Sequence, residues 1–174
     1  MNNMQEIEAI KQLKYRYFRF LDMKRFRDLA ALFIAEGSTA YDNGRYSYKG
    51  HEEIFAFMEE SMGMPDAYTS HQAHHPEITL LDDTNATGIW HFEDTVHRMD
   101  YQVAIYGAGI YWDEYLKVGG EWKFKYTGYE RLWVRQEALP EDPSRKIRGM
   151  FDKEERAMSL GRGLRPGEET LFPK

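Results

Sequence analysis

From residue 70 to residue 136 the chain reads as four long strands with no helix between them. Alternation of apolar and polar residues predicts strands at 70–81, 85–98, 101–117 and 121–136. The breaks are Asp82-Asp83-Thr84-Asn85, Met99-Asp100 and Val118-Gly119-Gly120, residue types that favour turns. Strands joined by turns this short must pair antiparallel, because a parallel pair needs a long crossover. Such a meander has to bury one face against other elements.

The N-terminal part supplies the cover. Ile7, Ile10, Leu13, Tyr17, Phe18 and Leu21 recur at helical spacing and predict an amphipathic helix over 4–24. Lys14 falls inside that apolar stripe, and Asp22 sits at its edge. A second helix is expected at 25–35, with Phe26, Leu29, Leu32 and Phe33 inward and Gly37 closing it. Ser38–Tyr41 and Tyr46–Tyr48 read as two short strands around an Asn43-Gly44 turn. A third helix is expected at 50–62, with Ile54, Phe55 and Met58 on one face. The order implies an α+β fold: a curved antiparallel sheet, a half-open cone, packed on three N-terminal helices. Residues 1–137 would form this domain. Residues 138–174 differ, broken by Pro140, Pro143, Pro166 and Pro173. There Ile147, Met150, Phe151 and Met158 suggest one helix covering the body or a neighbouring subunit.

Composition removes several functions. There is no cysteine, which excludes disulfides, thiolate metal sites and cysteine nucleophiles. A net charge of −6 without a basic stripe argues against nucleic-acid binding. The first residues lack the basic and apolar pattern of a signal peptide. No apolar run approaches the roughly 20 residues of a membrane span. The expectation is a cytoplasmic protein without a membrane partner. With 4 Trp, 12 Tyr and 10 Phe, the chain can line a pocket for a large, mostly apolar ligand.

Four residues carry the chemical expectation. Counting back from Ile78 and Leu80 puts His74 on the inner face of its strand, and Asp94 shares a face with Trp90, Phe92 and Val96. Ionisable groups on apolar faces are costly unless paired or used. Asp22 is placed to fix the tautomer of His74, and Tyr17 lies on the buried stripe of the first helix. His71-x-x-His74-His75 could suggest a metal, but on a flat strand His74 faces away from the other two, so no metal is expected. Arg131 has the wrong parity for the face of Trp122, Phe124 and Tyr126; a bulge at Gly128 would bring it inward. Gly107 and Gly109 mark weak packing or the close approach of a ligand.

The segments Ile-Glu-Ala-Ile-Lys-Gln-Leu-Lys, Tyr-Phe-Arg-Phe-Leu-Asp, His-His-Pro-Glu-Ile-Thr, Ala-Thr-Gly-Ile-Trp and Thr-Gly-Tyr-Glu-Arg resemble the SnoaL-like branch of the nuclear-transport-factor-2-like superfamily. Within that branch the chain is most similar to the bile acid 7α-dehydratase family, and more distantly to scytalone dehydratases and lindane dehydrochlorinases. The resemblance covers residues 5 to 137. It implies a conical α+β barrel, elimination without any cofactor, and frequent trimers. It places the His–Asp dyad on His74 and Asp22, the pocket tyrosine on Tyr17, the second aspartate on Asp94 and an arginine on Arg131.

These readings converge on a cofactor-independent lyase, a dehydratase acting on a steroid-like or polycyclic hydroxy-ketone. His74 would be the base, Tyr17 would stabilise the oxyanion and Asp94 would protonate the leaving hydroxyl. Arg131, Trp90, Phe92 and Tyr106 are the expected substrate-lining residues. An isomerase or cyclase in the same pocket and a non-catalytic binding or assembly module remain the alternatives. A homo-oligomer, a trimer before a dimer, is expected to cover the outer sheet face around Ile89 and Trp133.

Overall fold

The structure is a computed structural model that describes residues 2–149 apart from positions 141 and 143. The expected C-terminal helix falls mainly on Met150, Phe151 and Met158, which lie outside the described residues. Residues 2–139 belong to one compact unit.

Helix α1, Asn3–Asp22, opens on a reciprocal cap in which the Asn2 side chain accepts from Gln5 N and the Gln5 side chain accepts from Asn2 N, each at 3.0 Å. It buries Ile10, Leu13, Lys14, Tyr17, Phe18 and Leu21. Its first turn is tied to the sheet through Glu6, which accepts from Trp122 Nε1 at 2.6 Å and from Lys117 Nζ at 2.7 Å.

Helix α2 is Phe26–Ala30, much shorter than the expected 25–35. The chain turns into strand β1, Phe33–Tyr41, because Phe33 pairs with Phe124 and packs between that ring and Tyr17. Aromatic and β-branched residues such as Phe33 and Ile34 fit a pleated surface better than a helix, and the long-range pairing decides the matter. Gly37 therefore closes no helix. It lies in the irregular stretch between the Phe33 and Ser38 pairs, where a Cβ would come within 2.9 Å of Phe33 Cβ.

Strand β2 is Tyr46–Lys49, and helix α3 is Gly50–Met62. Asp42, Asn43 and Gly44 all have positive φ, so the Asn-Gly signal is at the hairpin tip, within a loop of four residues rather than two. The last carbonyls of α3 receive two cations: Arg98 Nη1 donates to Ser61 O at 2.6 Å and Lys24 Nζ to Met62 O at 2.7 Å. Positive charge at a helix C-terminus also opposes the macrodipole.

Strands β3 (Ala67–Leu80), β4 (Asn85–Arg98), β5 (Val103–Val118) and β6 (Glu121–Ala138) form the meander. The sheet order is β2-β1-β6-β5-β4-β3. β2 and β3 are both edges, so the curved sheet does not close. The fold class is the expected α+β arrangement of three helices on a curved sheet, with one difference: β1 runs parallel to β6, so the sheet is mixed. Three single-residue bulges interrupt the ladders. One falls between His74 and Glu77 of β3, and β6 carries extra residues at Lys125 and Leu132.

The core between α1 and the inner sheet face is aromatic and contains buried phenols. Burial, the largest influence, raises Tyr17, Tyr41, Tyr111 and Tyr115 well above their usual 10.0. A group whose folded value is raised contributes stability that is fully present below the unfolded value and is lost as pH rises past it. Burial acts on Lys14 in the other sense, drawing it down to about 8, against the pull of Asp113. Between pH 8 and 10.5 the unfolded chain therefore holds a proton that the folded chain has released, and stability rises with pH. Denaturant midpoints should accordingly hold or rise up to pH 10 and fall steeply above it, with phenolate absorbance of the buried tyrosines appearing only as the protein unfolds. Full tyrosine ionisation near pH 10 in a protein that remains folded would contradict this.

Candidate active site

The C-terminus of α1 is an unfavourable place for a carboxylate, since the helix dipole is negative there. Asp22 is held in that place by three donors: Thr69 Oγ1 at 2.9 Å, His71 N at 2.9 Å and His71 Nδ1 at 2.7 Å. A carboxylate in this setting can only accept, so His71 carries its proton on Nδ1 and presents Nε2 as a lone-pair acceptor. The imidazole is nearly buried and stacks on Phe18 at 6.2 Å.

His71 is paired directly across the ladder with Asp94, so both face the same side of the sheet. Asp94 takes a bidentate contact from Arg131, Nη1 to Oδ1 and Nη2 to Oδ2, both at 2.7 Å. Burial, the largest single influence, works against the Arg131 charge, but the hydrogen bond to Asp94 and the nearby Asp94, Tyr129 and Tyr111 groups together outweigh it and hold the guanidinium more firmly protonated. Gly107 makes room for the pair: a Cβ there would collide with Arg131 Nη1 and come within 2.9 Å of Asp94 Oδ1. Gly109 similarly yields space to the Phe92 ring. Both glycines serve side chains of the site rather than a ligand approaching the backbone.

His71, Asp94 and Arg131 border a cavity of about 580 Å³, within the ~300–1,000 Å³ range of small-molecule sites. Its apolar wall includes Leu21, Met58, Phe92, Val96 and Ile105. Phenols complete it: Tyr17 and Tyr41 share a hydrogen bond of 2.6 Å between their hydroxyls, Tyr111 packs edge-on against Tyr17, and Tyr129 stacks on Tyr41. Burial pushes Tyr129 up to about 12, with Arg131 opposing.

The expected residues divide as follows. Tyr17, Asp94, Arg131 and Phe92 line the cavity, and Asp22 stands directly behind it, holding His71. His74 does not. It pairs with His91 on the outer face, and the partner of Asp22 is His71. The reason is the bulge: His75 takes a positive φ of 49° and, with Pro76, stands out of the ladder, so parity reverses between Ile78 and Ala73. Proline lacks a ladder donor, and Pro76 was the sequence signal for that break. Arg131 does enter, by a bulge, but at Lys125 rather than at Gly128; beyond it Thr127, Tyr129 and Arg131 face inward. Trp90 is fully buried within the core, donating to Tyr115 OH at 3.0 Å, and does not line the cavity. Tyr106 points to the outer face, where its hydroxyl meets His97 Nε2 at 3.2 Å. The sequence reading missed His71, Tyr41, Tyr111 and Tyr129, which also line the cavity.

No three His, Asp or Glu side chains among the described residues gather in a way that could hold a metal ion. No described helix is long and apolar enough to cross a membrane.

Residues 2–127 match the model of the SnoaL-like domain. The chain belongs to this family. Solved structures agree on the fold. A putative scytalone dehydratase from Novosphingobium aromaticivorans DSM 12444 is 24% identical with a TM-score of 0.71, covering 83% of this chain and 97% of its own. The hexachlorocyclohexane dehydrochlorinase LinA-type3 from Novosphingobium barchaimii LL02 is 18% identical with a TM-score of 0.69, covering 78% and 92%. An NTF2-like protein with a cystatin-like fold, from Novosphingobium aromaticivorans, is 18% identical with a TM-score of 0.63, covering 74% and 83%. In this SnoaL-like domain the helices and the sheet thus take the arrangement those proteins share.

Proposed function

We propose that the protein is a cofactor-independent lyase, a dehydratase that removes water from a polycyclic or steroid-like hydroxy-ketone. The observation that supports this best is the Asp22–His71 pair at the wall of a cavity that also holds a cation and paired phenols. His71 Nε2 takes the proton next to the substrate carbonyl, and the electrons of that C–H bond move onto the carbonyl oxygen. Tyr17, backed by Tyr41, stabilises the resulting oxyanion. The electrons return to form the C=C bond as the C–O bond breaks, and the proton on His71 passes to the departing hydroxyl, which leaves as water.

Asp94 has a different part from the one expected. Both its oxygens accept from Arg131, so it has no proton to give the leaving group. It holds the guanidinium in the cavity, where Arg131 orients oxygen substituents of the substrate. That Asp94 is no free acid also supports the second reading, an isomerase or cyclase that moves the His71 proton and loses nothing. A product lighter by one water identifies the lyase; a product of unchanged mass identifies the isomerase.

His71→Ala is expected to slow turnover by ~10²–10⁴-fold, the usual range for a positioned general base. Asp22→Asn should cost less, since it weakens orientation and keeps the base. His74→Ala should leave the rate unchanged. A His71→Ala protein with wild-type turnover of its substrate would overturn the mechanism.

The outer face of the sheet supports self-association into a homotrimer. Ile89, Ile110, Trp112 and Trp133 share that face, and the two tryptophans are 46% and 51% exposed. Covering them removes large apolar surface from water. Light scattering should give a mass near three times the 20.6 kDa of one chain. A mass of 20.6 kDa would refute the assembly.

A further inference from the structure

Lys14 occupies the middle of the apolar stripe of α1 with no exposed surface, a place where leucine would pack. Its ammonium lies 2.8 Å from Asp113 Oδ2, 3.1 Å from Asp113 Oδ1 and 3.3 Å from Thr127 Oγ1. The remaining close partner is the face of Tyr111, whose ring centroid is 3.6 Å away. Asp113 is saturated: Thr127 Oγ1 donates to it at 2.5 Å and Tyr115 OH at 2.7 Å. Tyr115 in turn accepts from Trp90.

Stability is a weak explanation for such a pair. A buried ion pair pays desolvation twice, and apolar residues of similar shape commonly serve as well or better. What the pair does differently from leucine is to place a positive charge, shielded from water and balanced by Asp113, among aromatic rings and nearest to one of them. That ring belongs to Tyr111, which borders the cavity and packs edge-on against Tyr17, with ring centroids 6.4 Å apart; the Tyr17 hydroxyl is itself 2.6 Å from that of Tyr41. A cation on the face of a phenol draws electron density from the ring, and this makes the hydroxyl a stronger donor. Burial of Lys14 strengthens the field because no water screens it.

We propose that Lys14, anchored by Asp113, is a positioning residue for the phenol cluster of Tyr111, Tyr17 and Tyr41 at the cavity wall: it fixes the Tyr111 ring and strengthens the hydroxyls that receive negative charge on the ligand's oxygen. The proposal rests on the reading that Tyr17 faces the substrate oxygen. It does not depend on which reaction follows.

The probes are a series of nitrophenols of graded acidity, bound as phenolates and followed by their absorbance, with nitrobenzene as the uncharged control. Arg131 stays in place in every protein compared. Lys14→Met/Asp113→Asn removes both charges together, so no lone buried charge remains. It should bind phenolates about tenfold more weakly, the scale of one hydrogen bond. Its affinity should also depend less steeply on probe acidity, while nitrobenzene binds as before. A structural role alone would weaken phenolates and nitrobenzene equally, without changing the slope, and would overturn the proposal. Should the double variant fail to fold, Tyr111→Phe decides: it keeps the ion pair, removes the hydroxyl, and should show the same loss for phenolates only. Wild-type phenolate affinity in Tyr111→Phe, or no phenolate binding by the wild type, would overturn it as well. Because none of these readouts requires turnover, an inactive or differently acting enzyme does not alter the result.

Discussion

Strand register governs which side chains meet in this cavity, and two extra residues control it. A strand offers alternate residues to each face, so one inserted residue reverses every residue beyond it. The insertion beside Pro76 lets Ile78 and Leu80 face the core while sending His71, rather than His74, to the site. The insertion at Lys125 lets Trp122 and Phe124 pack under α1 while turning Tyr129 and Arg131 inward farther along the same strand. Core and cavity-lining groups thus share strands without sharing parity. A regular β6 of the same sequence would put Arg131 outside and leave Asp94 buried without its partner.

Three charged groups drawn inward, Asp22, Asp94 and Lys14, are each satisfied by a specific arrangement. Asp22, at the wrong end of a helix dipole, is compensated by three donors from β3, which also fasten α1 to the edge strand of the sheet. Asp94 is compensated by Arg131, and the space for that contact comes from the missing side chain of Gly107. Lys14 is compensated by Asp113, two residues along β5 from Tyr111 and on the same face. Each pair lies next to a different part of the cavity wall: His71, Arg131 and the phenols. Among the described residues His71 Nε2 has no hydrogen-bond partner, and it borders the same cavity as a row of tyrosines.

Much of this arrangement was legible in the sequence. The α1 stripe, the third helix and the boundaries of β4 follow from periodicity alone, and so does the inward face of Asp94. Asp22 and Tyr17 were legible because α1 is regular to its end. Where a bulge intervened, parity counting failed: His74 was selected by counting across Pro76, although a proline inside a strand is itself a sign of broken pairing. The second helix was overextended because a helical apolar pattern says nothing of a parallel partner such as β6, more than eighty residues away. Tyr106 and Trp90 were misplaced for different reasons. Tyr106 has outer-face parity, and Trp90 has the right parity but lies where α1 already covers the sheet.

The tautomer of His71 is the most direct test of the account. Long-range proton–nitrogen NMR of the labelled protein can assign the proton to one ring nitrogen. The account predicts a proton on Nδ1, bonded to Asp22, and an unprotonated Nε2 whose resonance moves when a ligand fills the cavity, while His74 stays unchanged. A proton fixed on Nε2 of His71, or a ligand response confined to His74, would contradict it.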